Sequence, residues 1–193
     1  RGNTAAKMTF GQIKGTGTFC SMTRYTGATK GRILNGDGNW FHGHHYGNAG
    51  VAHYNGWITP SSNQVNPATN WVALCMKGAG CNGYRNGVAF SGTCQSGTAR
   101  NVYINQGGCC GGETSDWGAA FIVSWNRDLS NEEMARVSTV MIEGFQRSVV
   151  DANVHNPRPR GSGQVRVRLR YWAIDSWDFG DAAFVKVNNV KVW

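Results

Sequence analysis

From Met8 to Trp125 the chain is written in short apolar or alternating runs, each broken by clusters of Gly, Asn and Ser. That rhythm marks strands joined by tight turns. It predicts strands at Thr18–Tyr25, Arg32–Leu34, Asn39–His45, Val51–Ile58, Trp71–Met76, Asn86–Phe90, Val102–Asn105 and Ala119–Trp125. So many short strands at this spacing suit an all-β fold, an antiparallel β-sandwich or jelly roll. Composition agrees. The 27 Gly come with only 4 Pro, so the chain is neither collagen-like nor a Pro-rich linker. Eight Trp, eight Phe and six Tyr are too many for a disordered chain. At 193 residues it is long enough for one sizeable domain, or one domain and a small appendage.

One segment breaks the rhythm. LSNEEMARVSTVMIEGFQRSVV opens with Ser130 and, three residues on, Glu133, a capping box that satisfies orphan backbone donors at a helix start. Glu132 and Glu133 also suit the positive end of the helix dipole. Met134, Val137, Met141, Phe145 and Val149 keep helical spacing, so a helix over about 131–149 is predicted, laid over one end of the sandwich. Residues 1–150 then form the main domain.

Two Pro and two Gly within NPRPRGSG make residues 151–163 a linker. Beyond it, QVRVRLRY alternates cleanly, with Arg166, Arg168 and Arg170 on one face and Val165, Val167, Leu169 and Tyr171 on the other. Two further short strands are expected around Asn188-Asn189, a pair that tolerates left-handed backbone. Residues 164–193 read as a small β unit, too short to bury much core alone and completed by added sheet or by a partner. The chain stops at Trp193 in mid-pattern and starts at Arg1 rather than Met, so a processed or larger parent protein is expected. The net charge of +8 is denser in this tail: residues 156–193 hold seven basic and three acidic side chains. Arg158, Arg160, Arg166, Arg168 and Arg170 are the candidates for contact with a polyanion, such as a sulfated or uronic polysaccharide, or with an acidic partner.

The six cysteines, Cys20, Cys75, Cys81, Cys94, Cys109 and Cys110, lack the paired spacing of zinc sites and read as disulfide candidates. Neighbouring Cys109 and Cys110 are expected to pair elsewhere, because a bridge between adjacent residues is strained. Disulfides place the protein outside the cell, secreted or at the cell surface. They argue against nucleic acid as the anionic partner. There is no apolar run that spans a bilayer, so no membrane insertion is expected, and no N-x-Ser/Thr sequon.

Four of the five histidines lie between Asn39 and Trp57, in NWFHGHHYGNAGVAHYNGW. A two-residue turn centred on Asn48-Ala49 would set His44 opposite His53, His42 opposite Asn55 and Trp40 opposite Trp57. Trp40, His42, His44, His53, Asn55 and Trp57 would then share one hairpin face. Such a face suits a sugar, whose C–H side lies on the rings while polar groups take its hydroxyls. An H-x-H pair with a cross-strand His also has zinc chemistry within reach. The plainer alternative is that backbone and hydroxyl groups satisfy the imidazoles, and no cofactor is then needed. Calcium at Asp175, Asp178 and Asp181 of DSWDFGD is a further alternative, short of full EF-hand spacing.

Catalytic sets are sparse. Sandwich glycosidases need two carboxylates flanking the bond. The nearest pair, Glu113 and Asp116, is three apart, which on a strand sends them to opposite faces. No nucleophile elbow, P-loop or GxGxxG is present.

Two runs carry a family likeness. NWVALCMKGAGCNGYRNGVAF resembles the segment of LamG-like and concanavalin A-like lectin-glucanase jelly rolls in which a Trp-led strand precedes one containing NG. AAFIVSWNRDLSNEEMARV is similar to their closing strand and following helix, through Asn126, Arg127, Leu129, Ser130 and Glu133. The likeness covers Met8 to about Ser148. The tail, YWAIDSWD to VKVNNVKVW, resembles strands that follow such domains in large extracellular proteins of protists and algae. The resemblance implies a sandwich of two antiparallel sheets that binds glycans or proteins, in some members with calcium. The acidic E-x-D-x-E signature of the superfamily's glucanases is missing, and no calcium-site aspartate pair matches. The expected function is therefore a non-catalytic extracellular lectin-like module: glycan-binding, a structural block of a surface, matrix or filament assembly with neighbouring subunits, or both. The alternative is a divergent polysaccharide-degrading enzyme, hydrolase or lyase.

Overall fold

The computed structural model describes residues 1–13, 15–95, 97–106, 113–154, 186–187 and 190–191, with side chains described up to residue 144. Contacts divide the chain into two units, Arg1–His155 and Asn156–Trp193. In the first, ten strands form two antiparallel sheets: β1 (Met8–Ile13), β2 (Thr18–Lys30), β3 (Leu34–Gly36), β4 (Trp40–His45), β5 (Asn48–Tyr54), β6 (Val72–Lys77), β7 (Gly80–Arg85), β8 (Val88–Gln95), β9 (Arg100–Ile104) and β10 (Ser115–Trp125). Sheet I has the order β10-β2-β6-β7-β8 and sheet II the order β1-β9-β3-β4-β5. The fold is thus an antiparallel β-sandwich with one helix, α1 (Asn131–Val154).

The core between the sheets holds Phe19, Tyr25, Leu34, Trp40, Tyr54, Leu74, Val102 and Trp117 among others. β2 and β6 are apolar on both faces because sheet I is covered on both. Its outer side carries Cys20, Met22, Ala73 and Cys75, which pack against Leu129, Met134, Val137 and Met141 of α1 and the residues before it. The helix therefore lies on the outer face of sheet I, against β6, β7 and β2, and not over one end of the sandwich. The apolar row on β2 and β6 needs that cover. The predicted stripe residues Phe145 and Val149 lie outside the described side chains. Ser130 and Glu133 exchange the expected pair of hydrogen bonds: Glu133 N–H donates to Ser130 Oγ at 3.1 Å, and Ser130 N–H to Glu133 Oε2 at 2.7 Å.

Two disulfides tie sheet I. Cys20–Cys75 joins directly paired residues of β2 and β6, and Cys81–Cys94 joins β7 to β8. Cys109 and Cys110 lie outside the described residues. Residues 151–154, expected to open the linker, instead end α1, and residues 155–163 lie outside the described residues, as do the arginines Arg158, Arg160, Arg166, Arg168 and Arg170, and Asp175, Asp178 and Asp181. In the second unit, β11 (Lys186–Val187) pairs antiparallel with β12 (Val190–Lys191), on either side of Asn188-Asn189. Among the described residues no helix is long and apolar enough to cross a membrane.

Candidate functional site

The β4–β5 hairpin decides which rings meet solvent, and its turn is not at Asn48-Ala49. It is Tyr46-Gly47, both with positive φ (45° and 80°), the backbone a two-residue hairpin turn requires. Gly47 adopts it freely, whereas Ala49 would be strained there. The register becomes Trp40↔Tyr54, Phe41↔His53 and His42↔Ala52. An odd shift in register exchanges the faces of one strand relative to the other. The six expected face residues are therefore split. Trp40, His42 and His44 point inward and are buried. His53, Asn55 and Trp57 belong to the outer side.

The inward imidazoles are held as the plainer alternative foresees, by backbone and hydroxyl groups. His42 Nε2–H donates to Leu74 O at 3.1 Å, and Nδ1 faces Tyr54 Oη at 2.7 Å. His44 Nδ1 lies 3.2 Å from Thr23 Oγ1. Burial pushes the His42 pKa down to about 4. It pushes that of His44 to about 3, with His42 adding to the effect. Both rings are neutral core groups. With the histidines divided between two sides, they do not converge on one ion. Among the described residues no three His, Cys, Asp or Glu side chains are grouped to hold a metal.

On sheet II the outward positions line up across four strands by register: Tyr103↔Asn35, Asn35↔Phe41, Phe41↔His53. Their neighbours Val102, Leu34, Trp40 and Tyr54 are core, so alternation turns these four outward. Phe41 is the hub. His45 and His53 stack on it at 4.4 and 5.3 Å between centroids, the Arg32 guanidinium sits 4.6 Å from it, and Trp57 meets it edge-on at 5.3 Å. Arg32 Nη2–H donates to Asn39 Oδ1 at 2.9 Å, and His53 Nδ1–H to Asn39 O at 2.8 Å. Glu113, from the segment before β10, pairs with Arg32 and lies 3.5 Å from His45 Nε2. Burial lowers the pKa of His45 and of His53. Glu113 partly restores the first, and the hydrogen bond to Asn39 partly restores the second.

At the β9 side of the same face, Asp37 accepts from Asn101 N–H at 2.9 Å, from Asn101 Nδ2–H at 2.8 Å and from Tyr103 O–H at 2.9 Å. The backbone donor is the main reason its carboxyl is held below the ordinary range. Tyr46, at the hairpin tip, is 68% exposed, and Asn55 is exposed too. Phe41, Asn35 and His53 are themselves buried, at 1, 3 and 8% exposure, so the groups that reach solvent are Tyr46, Asn55 and Asp37 and, in part, Tyr103, Trp57 and His45. Arg32, Asn39, Phe41, His45, Tyr46 and Tyr103 were missed as site residues, and a turn at Tyr46-Gly47 is the signal that finds most of them. Glu113 and Asp116 have separate partners: Asp116 Oδ2 accepts from Thr29 N–H at 3.0 Å, away from the Arg32 and His45 contacts of Glu113. No protein-family model, no curated protein and no solved structure matches the chain.

Proposed function

We propose that the protein is a non-catalytic extracellular module with a lectin-like, concanavalin A-type jelly roll, which binds glycan on the outer face of sheet II. The observation that carries this reading is the difference between the two outer faces. Sheet I is apolar outside and α1 covers it. Sheet II turns Tyr103, Asn35, Phe41 and His53 to its outer side, where Asn35, Phe41 and His53 are themselves buried and Tyr103, Tyr46, Trp57, Asn55 and Asp37 reach solvent. Ring edges next to fixed donors and acceptors are what a sugar needs, an apolar plate for its C–H side and partners for its hydroxyls. Two disulfides support an oxidising compartment. A role as a building block with neighbouring subunits, and polyanion contact through the arginines of residues 156–193, belong to the same proposal.

A glycan array, followed by titration of the best hit, tests it. Trp57→Ala and Tyr103→Ala should each weaken binding about fivefold or more, since one ring stacked on a sugar is worth about 1 kcal/mol or more. Light scattering of the same material reads the assembly arm. No array signal together with a strictly monomeric protein would refute both arms.

A further inference from the structure

Four asparagines of the chain precede a glycine: Asn35, Asn55, Asn82 and Asn86. Such a pair is chemically labile, because a glycine has no Cβ to keep its backbone nitrogen from the asparagine's side-chain carbon. The reaction needs a carboxamide that can rotate and a glycine N–H without a competing hydrogen bond. Three of the four pairs are closed to it. Asn35 is buried at 3% exposure, and Gly36 sits in β3 between partners on β4 and β9. Asn82 is exposed, but Gly83 is paired on both sides, to Met76 and to Phe90, inside sheet I. Asn86 has both ends of its carboxamide engaged: Oδ1 accepts from Ala73 N–H at 2.8 Å, and Nδ2–H donates to Trp71 O at 3.4 Å. Gly87 N–H in turn donates to Ser138 Oγ at 2.9 Å.

Asn55 differs on each count. It follows the end of β5 and is exposed. Among the described residues neither its carboxamide nor the Gly56 N–H makes a hydrogen bond. The surrounding backbone is held instead: Asn55 N–H donates to Asn39 O at 3.0 Å, and Tyr54 N–H to Gly56 O at 2.9 Å. The φ of Asn55 is 61°, a conformation that asparagine and aspartate both tolerate, so an aspartate product keeps the turn. We propose that Asn55-Gly56 is a site of spontaneous deamidation on the outer side of sheet II. The Gly56 nitrogen bonds to Asn55 Cγ, the carboxamide C–N bond breaks, and ammonia leaves with the proton that Gly56 gives up. Water then opens the cyclic imide at either carbonyl and leaves aspartate or isoaspartate at position 55. Nothing is oxidised or reduced, and water is the only co-reactant. Either product adds about one negative charge at neutral pH. Isoaspartate also lengthens the main chain by a methylene between β5 and Trp57, inside the turn closed by the His53–Trp57 bridge. The modification thus changes both the charge beside Trp57 and the seat of its ring as the protein ages. It stands without the glycan reading, because its readout is a covalent product.

The test is incubation of the full chain at mildly alkaline pH, folded and in urea, followed by digestion and mass mapping. Fragmentation spectra assign the position, and an isoaspartate methyltransferase reports the rearranged product. In the folded chain Asn55 should convert at least ~tenfold faster than Asn35, Asn82 or Asn86, which react only through local opening. In urea the four rates should converge. Gly56→Ala should slow conversion at Asn55 at least ~fivefold, since a Cβ hinders the attacking nitrogen. That Cβ would meet only the far end of the Gln95 side chain, which can shift aside. Conversion of Asn55 in the folded chain no faster than at the other three pairs would overturn the proposal, as would an unchanged rate in Gly56→Ala. Should that variant not fold, the comparison of the four pairs in the folded wild-type chain decides.

Discussion

Acid should unfold this protein through its two core histidines. His42 is buried and neutral, with its two nitrogens committed to Leu74 O and Tyr54 Oη. Its folded pKa is about 4 against 6.5 for a free imidazole. At 1.36 kcal/mol per pH unit that gap corresponds to about 3 kcal/mol. His44, at about 3, has a wider gap. Both folded values are depressed, so the unfolded chain binds the extra protons. The stabilisation is complete above about pH 6.5 and is lost as the pH falls towards the folded values. Two protons make the slope about 2.7 kcal/mol per pH unit between about pH 6 and 4, and the loss by pH 4 about 6 kcal/mol. A domain of ordinary stability has about 5–15 kcal/mol in all, so this loss is decisive. Urea melts followed by Trp fluorescence at stepped pH measure it. His42→Gln should lower stability near neutral pH and remove about one proton from the slope. A slope of less than one proton over that interval, or one that His42→Gln leaves intact, would refute the reasoning.

Two further outcomes follow from the same geometry. Cys20–Cys75 closes a loop of 55 residues, and chain entropy sets its contribution at about 4 kcal/mol; Cys20→Ala with Cys75→Ala should lower the urea midpoint accordingly, more than loss of the 13-residue Cys81–Cys94 loop, worth about 3 kcal/mol. Ser130→Ala removes the acceptor of Glu133 N–H and should cost about 1 kcal/mol in the same melts, where no change would argue that α1 is held by its apolar face alone.

The two-layer fold was legible because β2, β6 and β10 carry runs of apolar residues bounded by glycine, and α1 because its cap and stripe are local signals. Two strands were not legible. β1 is an edge strand with most positions exposed, and a register shift between Thr9 and Gly11 breaks the alternation that Met8 and Phe10 begin. β7 reads GCNGYR, and its pairing is imposed by Asn86-Gly87, a left-handed pair (φ 50° and 80°) that turns it into β8. That pair was read as the start of a strand, which merged turn and strand. The site failed for a similar reason. Every residue of the hairpin was visible, but which face each takes depends on one turn. The register also slips between Gly43 and His44, which no periodicity announces. The family-like motif has a local explanation. Arg127 holds Glu133 with both nitrogens, Leu129 is buried, and Leu129 N–H donates to Thr18 Oγ1. The motif fastens the helix start to sheet I.

The histidine-rich stretch therefore does two jobs that only the pleat separates. Along β4, Trp40, His42 and His44 go inward, where burial keeps both imidazoles neutral. Phe41 and His45 go outward, where one imidazole meets a carboxylate and a guanidinium. The same residue type is thus a fixed core element on one side and a partly exposed, ion-paired element on the other, and burial is the largest cause that sets the order in which the rings take protons. A fall in pH acts first on the outer face and only later on the core. A substitution at Tyr46 or Gly47 that slipped the turn by one residue would exchange the two sets, putting the outer rings into the core and the core rings into solvent. For that reason the hairpin turn is the position on which both the stability and the surface chemistry of this sandwich depend.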